Sequence, residues 1–94
     1  MADKKLGEVR AEFIQRVSKS IISQLLDDLL REGIMVDEEM EGVNVTNKIQ
    51  DQARILIDNV RKKGPKASRL FIDCLLARDA CLAEQLDLQN FPAD

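Results

Sequence analysis

Apolar residues recur at three- and four-residue intervals along almost the whole chain, and no stretch shows the strict alternation of a half-buried strand. Leu6, Val9, Phe13, Ile14 and Val17 fall on one side of a first helix predicted over roughly residues 3–17. The pairs Ile21-Ile22, Leu25-Leu26 and Leu29-Leu30 then give a second helix, over about 21–31, one broad apolar face. Ser20 is placed to cap it and Gly33 to end it. Asp37 reads as the N-cap of a short third helix. Glu38 and Glu39 stand in its first turn, where the helix dipole favours acids, and Met40 and Val43 face inward. Residues 44–47 read as a loop. Asn47 with Gln50 resembles a capping box opening a fourth helix striped by Ile49, Ala53, Leu56, Ile57 and Val60. Lys63-Gly64-Pro65 is the sharpest punctuation: Gly64 ends the fourth helix and Pro65 suits the first turn of a fifth, whose inner face is Leu70, Phe71, Cys74 and Leu75. Asp79 is placed to cap a short sixth helix carrying Leu82, Leu86 and Leu88, and residues 89–94 are expected to fray.

Six short helices with short connections predict an all-α, antiparallel bundle in one domain. Composition agrees. The 94 residues hold three Phe and no Trp or Tyr, so the core must come from Leu, Ile and Val. No apolar run approaches the ~18 residues of a membrane span. The N-terminal residues are too charged for a secretory signal, and two cysteines make no secreted disulfide framework. A cytoplasmic protein with reduced thiols is expected, with Cys74 and Cys81 as small core or half-buried residues. The chain has no histidine, which removes Ser-His and Cys-His nucleophile pairs and Cys/His zinc sites. No catalytic residue, metal or cofactor is expected.

Charge sharpens the picture. The net charge is only −3, but residues 1–19 carry +2, residues 20–46 carry −6, residues 47–69 carry +5 and the remainder −4. Charge blocks on helices are often solvated faces and nothing more. If the first and fourth helices share a side of the bundle, however, the molecule is electrically two-faced. It is then complementary to a second copy in a head-to-tail contact that need not close on itself. A rival use of Arg61, Lys62, Lys63, Lys66 and Arg69, binding nucleic acid, fits less well. The chain is acidic overall, and no aromatic residue is interleaved with that cluster.

The residues also resemble a known family. Met1-Ala2-Asp3-Lys4, Phe13-Ile14, Leu25-Leu26-Asp27-Asp28-Leu29-Leu30, Glu38-Glu39-Met40, Ala53-Arg54, Leu56-Ile57-Asp58-Asn59-Val60, Lys63-Gly64-Pro65, Phe71-Ile72 and Leu82-Ala83 together resemble a caspase recruitment domain (CARD), a branch of the death-fold superfamily. The likeness covers residues 1–88 and is greatest to the prodomain of an inflammatory, interleukin-converting caspase and to relatives made of the CARD alone. It implies a six-helix Greek-key bundle, with the first helix often kinked. It also implies homotypic association with CARD-containing adaptor or sensor proteins, and stacking into helical filaments that cluster an attached protease for inflammasome signalling. The basic contact face of the family maps onto Arg10, Arg54 and Lys63, and its acidic counter-face onto Asp27 and Asp28. Two positions where the family often has a basic residue are Ala11 and Gln52 here. Neither nucleic acid nor membrane is an expected partner. Residues 89–94 read as the start of a linker, which favours a caspase prodomain over the alternative, a CARD-only decoy that poisons assembly.

Overall fold

The computed structural model describes residues 2–88, with side chains from Asp3 onward. The apolar stripes become six helices: α1 (Ala2–Arg16), α2 (Lys19–Arg31), α3 (Asp37–Asn44), α4 (Ile49–Lys62), α5 (Pro65–Arg78) and α6 (Ala80–Gln85). No strand occurs among the described residues, and none of their helices is long and apolar enough to cross a membrane. The expected frayed tail, residues 89–94, lies outside the described residues.

Helix α1 packs on α4 and α5, α2 on α5, α4 and α3, α3 on α4, and α6 on α5. The first helix therefore seats against the fourth and fifth, and α4 and α5 each touch both α1 and α2. Helix α1 is helical without a break from Ala2 to Arg16. Its stripe of Leu6, Val9, Phe13 and Ile14 is buried, with Val17 just beyond its end. Phe13 meets Phe71 of α5 edge to face, with ring centroids 5.4 Å apart and planes at 69°. Leu25, Leu29, Leu56, Ile57, Val60, Ile72 and Leu75 close the core around this pair with no exposed surface. A buried Leu or Ile contributes roughly 2–5 kcal/mol over Ala at such positions.

Helix ends refine the sequence reading. Ser18, not Ser20, caps α2: its Oγ accepts from the Ile21 N–H at 3.2 Å, and Ser20 lies inside the helix. At α3 the N-cap is Val36, and Asp37 is the first helical residue. Glu39 reaches back to accept from the Val36 N–H at 3.2 Å. Helix α4 starts from Lys48, with no side-chain cap, so the expected Asn47–Gln50 box does not form. In its place Gln52 is buried and donates its amide to the Thr46 carbonyl at 2.7 Å, tying down the preceding loop. Ile49, expected on the inner stripe, is exposed, and so is Cys81, while Cys74 is half-buried. Asp79 caps α6 as expected, accepting from the Leu82 N–H at 3.0 Å. Gly33 closes α2 in a Schellman motif, with Gly33 N–H to Leu30 and Ile34 N–H to Leu29. At the α4–α5 junction Gly64 takes φ +101°, a left-handed value that a Cβ would penalise. Pro65 follows at the first position of α5, where its missing N–H costs nothing.

One carboxylate is sealed inside this frame. Asp28 of α2 is 3% exposed and holds Arg78 of α5 in two bonds, Nη2 to Oδ1 at 2.7 Å and Nε to Oδ2 at 3.0 Å. Arg31 adds a third at 3.1 Å. The Arg78 hydrogen bonds pull the Asp28 carboxyl below its ordinary 3.8, against the upward push of burial. Ion pairing at depth stabilises only while both partners are present, because an abandoned buried charge costs several kcal/mol.

Two outcomes are expected in urea denaturation followed by far-UV circular dichroism. Ser18→Ala and Asp79→Ala each lose about 1 kcal/mol, whereas Ser20→Ala stays within about 0.5 kcal/mol of the parent. Arg78→Met loses about 2–3 kcal/mol, since Arg31 compensates only part of the charge left on Asp28. Because the folded pKa of Asp28 is depressed, its contribution is fully present above the ordinary Asp range and fades as pH falls through the lowered value. Asp28→Asn therefore flattens the dependence of stability on pH below about 5, and an unchanged slope in that variant would show that the carboxylate is not the acid-sensitive group.

Candidate partner-binding faces

The seating of α1 on α4 decides where the basic residues stand. Arg10, two turns into α1, reaches Asp58 of α4 with Nε to Oδ1 at 2.8 Å and Nη2 to Oδ2 at 3.0 Å. Both side chains are 33% exposed. The Arg10 hydrogen bonds hold the Asp58 carboxyl below its usual range despite partial burial, with smaller help from the charges of Arg61 and Lys62. Arg61 lies one turn further along α4, with Nη1 3.7 Å from the same carboxylate. Its guanidinium lies against α1 at Gly7, where a Cβ would fall 2.9 Å from Nη2. A side chain at Gly7 would require the Arg61 guanidinium to shift. Asp3, Lys4, Arg10, Asp58, Arg61 and Lys62 together line a shallow depression of ≈ 650 Å³.

The other two predicted cations are also engaged. Arg54 is exposed on α4, and its Nη1 bonds Asp51 Oδ1 at 2.6 Å, one turn earlier. It stands seven residues before Arg61, so both project from one side of α4. Lys63, just past the end of α4, bonds Glu39 Oε1 of α3 at 3.0 Å. Partial burial pushes the Glu39 carboxyl up, but the bonds from Lys63 and from the Val36 N–H outweigh it, and the carboxyl sits below its ordinary value. Lys63 thus clamps the start of α3 to the end of α4 and stands apart from the Arg10 depression, which it does not line.

On α2 the two predicted acids separate. Asp27 is exposed and has no ion pair among the described residues. Asp28 points inward and is consumed by Arg78 and Arg31. A second depression of ≈ 390 Å³ lies between α2 and α5, bordered by Asp28, Arg31, Glu32, Asp73, Cys74 and Arg78 among others. Burial, followed by the charge of Asp28, raises the Cys74 thiol above its ordinary pKa, so it is a poor nucleophile at neutral pH. No group of three or more potential metal ligands occurs among the described residues.

From the sequence Arg10, Arg54 and Lys63 read as the basic side and Asp27 and Asp28 as the acidic one, of which Asp28 turns inward, and nothing there singles out Asp58, Gly7 or Arg78. Arg61 and Lys62 group there only with the rival nucleic-acid cluster. The signal available for part of this was on α4: Arg54, Asp58 and Arg61 repeat at helical spacing as a charged stripe. The cross-helix partners, 48 and 50 residues away, have no such local trace.

Comparison with known proteins agrees with this architecture. The family model for the caspase recruitment domain matches residues 3–89. The chain is 44% identical over 94 residues to caspase-1 of Rattus norvegicus, covering 99% of this chain and 23% of that protein. It is 42% identical over 89 residues to caspase recruitment domain-containing protein 16 of Homo sapiens, covering 94% of this chain and 45% of that one. The chain thus spans about a quarter of the length of its caspase-1 relatives. The solution structure of ICEBERG, an inhibitor of interleukin-1beta generation, matches with a TM-score of 0.82 at 39% identity, over 88% of this chain and 94% of that one. The six helices and this match give the chain the death fold expected from its sequence. Over residues 3–89, nearly all its length, the chain belongs to the caspase recruitment domain family.

Proposed function

We propose that this domain recruits and clusters an inflammatory caspase by homotypic CARD–CARD association in the cytoplasm. Its partners are a CARD-containing adaptor or sensor and further copies of itself. The observation that carries the proposal is the division of charge by the fold. Helices α1 and α4 carry Arg10, Arg54, Arg61 and Lys62, while Asp27 is exposed on α2, which packs on α5, α4 and α3. A basic face docking on the acidic face of the next molecule leaves one of each unpaired at the ends, so the contact propagates as a filament. Single exposed ion pairs contribute about 0–1 kcal/mol, so strength comes from repetition along the filament. Asp28 serves this face indirectly, by fixing Arg78 and the α2–α5 seam beneath Asp27. Nucleic acid and membrane have no part in this function.

A second reading is favoured by one observation. ICEBERG, whose solved structure matches nearly end to end, is named as an inhibitor of interleukin-1beta generation. A domain of the same shape with no protease attached would bind a growing filament and halt it. The reading frame beyond Asp94 separates the two, since a protease domain there excludes the decoy.

Asp27→Lys and Arg54→Glu are the informative substitutions, because both side chains are exposed and neither touches the core. Each alone is expected to abolish assembly seen by light scattering and negative-stain electron microscopy, and an equimolar mixture to restore a pairwise contact. Assembly should also weaken as sodium chloride is raised, because the screening length is already about 8 Å at physiological ionic strength. Normal filaments from both single variants would defeat the charged-face mechanism.

A further inference from the structure

All three cations assigned to the basic face are already bound to acids of their own chain: Arg10 to Asp58, Arg54 to Asp51 and Lys63 to Glu39. Asp58 differs from the other two in its hold. It engages Arg10 with both oxygens across the α1–α4 interface and has Arg61 3.7 Å away as a second cation. Its bonds fill the Nε–Nη2 edge of Arg10, one of the edges at which a guanidinium takes a carboxylate in two parallel bonds. An incoming acid can take that edge only by displacing Asp58.

Two further features make displacement feasible. The pair is 33% exposed on both sides, so water and a partner side chain can reach it, unlike the Asp28 carboxylate at 4%. A contact this exposed holds its partners by no more than about five-fold. The depression around it is lined by Lys4, Arg10, Arg61 and Lys62 against Asp3 and Asp58, so Asp58 supplies half of the negative charge that offsets those four cations. Releasing it leaves the cations to the newcomer.

We propose that Asp58 is an intramolecular competitor for the basic face: it occupies Arg10 until an acidic side chain of a second copy replaces it, and it thereby sets the concentration at which copies associate. The proposal rests on the charged-face reading above and adds a threshold to it. Association is then an exchange of ion pairs rather than the filling of vacant charges, and the domain is held apart at low concentration by its own acid.

The test measures the protein concentration at which light scattering begins for the parent, Asp58→Asn and Asp58→Ser. Asp87→Asn serves as a control of equal net charge, because Asp87 is exposed, has no ion pair among the described residues, and sits at φ +57°, which Asn tolerates. Both Asp58 variants are expected to lower the onset about two- to five-fold and to steepen its salt dependence, with Asp87→Asn unchanged. An onset unchanged or raised in the two Asp58 variants, or lowered equally by Asp87→Asn, would overturn the proposal. So would loss of the fold in both, since an exchangeable contact cannot be essential to folding. If the parent assembles and the Asp27→Lys and Arg54→Glu variants behave as stated, such results sink the threshold alone. If the parent and every variant stay monomeric, the self-association reading falls and takes the threshold with it.

Discussion

The edge-to-face contact of Phe13 with Phe71 is the interaction on which the arrangement turns. Helices of six to fifteen residues are marginal by themselves in water, so each must be held by packing rather than by propensity. Among the described residues these two Phe are the only aromatics, and both are fully buried. Their meeting fixes α1 to α5, and Leu6, Val9 and Ile14 spread the contact over the neighbouring core. Once α1 is seated there, its polar edge lies along α4. There Arg10 meets Asp58, and Gly7 meets Arg61.

The two cross-helix ion pairs then take different roles because they lie at different depths. Asp28 and Arg78 join α2 to α5 where the carboxylate is sealed from water, with Arg31 sharing it. Removing water from a carboxylate costs so much that such a pair is kept only if nearly every lone pair is satisfied, and it does not open readily. Arg10 and Asp58 bridge α1 and α4 at a third of full exposure, where solvent screens the attraction and substitutes for either partner. One pair behaves as framework, the other as surface. Similar residue types, an Arg and an Asp in bidentate contact, acquire these two behaviours from burial alone.

This difference explains what could be read from the sequence. The stripes that form α1, α2, α4 and α5 were plain, because burial imposes a period on apolar residues and the period is local. The Lys63-Gly64-Pro65 break and the Asp79 cap were plain for a similar reason: each has a steric or hydrogen-bonding requirement satisfied within a few residues. Ser18 and Ser20 were not separable, since either side chain can cap a helix and nothing local distinguishes them. At α3 the same ambiguity let Asp37 pass for the cap when Val36 holds that place and Glu39 supplies the bond. Asn47 does not cap α4 because the helix starts one residue later, from Lys48, and Gln52 separately holds the preceding loop at the Thr46 carbonyl. The charged faces were legible as blocks of sign, but not as pairs. Block counts could not show that Asp28 turns inward while its neighbour Asp27 stays in water, because one residue of helical rotation, about 100°, separates them and their charges count alike.

Gly7 shows how the basic seam is bought with some helix stability. Glycine inside a helix costs about 0.5–1 kcal/mol against alanine, and nothing in the turn around Gly7 asks for unusual backbone freedom. Its use lies across the interface, where a Cβ would intrude on the Arg61 guanidinium at 2.9 Å. Arg61 Nε is shut away there without a hydrogen-bond partner, a second local cost. Both features accompany an Arg61 guanidinium in the α1–α4 seam, 3.7 Å from the carboxylate that Arg10 holds. Local rules of stability that are broken together at one place mark the part of a domain shaped for something other than stability. Here that place is the cation-lined depression, which the Phe13–Phe71 contact positions and which Asp58 only partly neutralises.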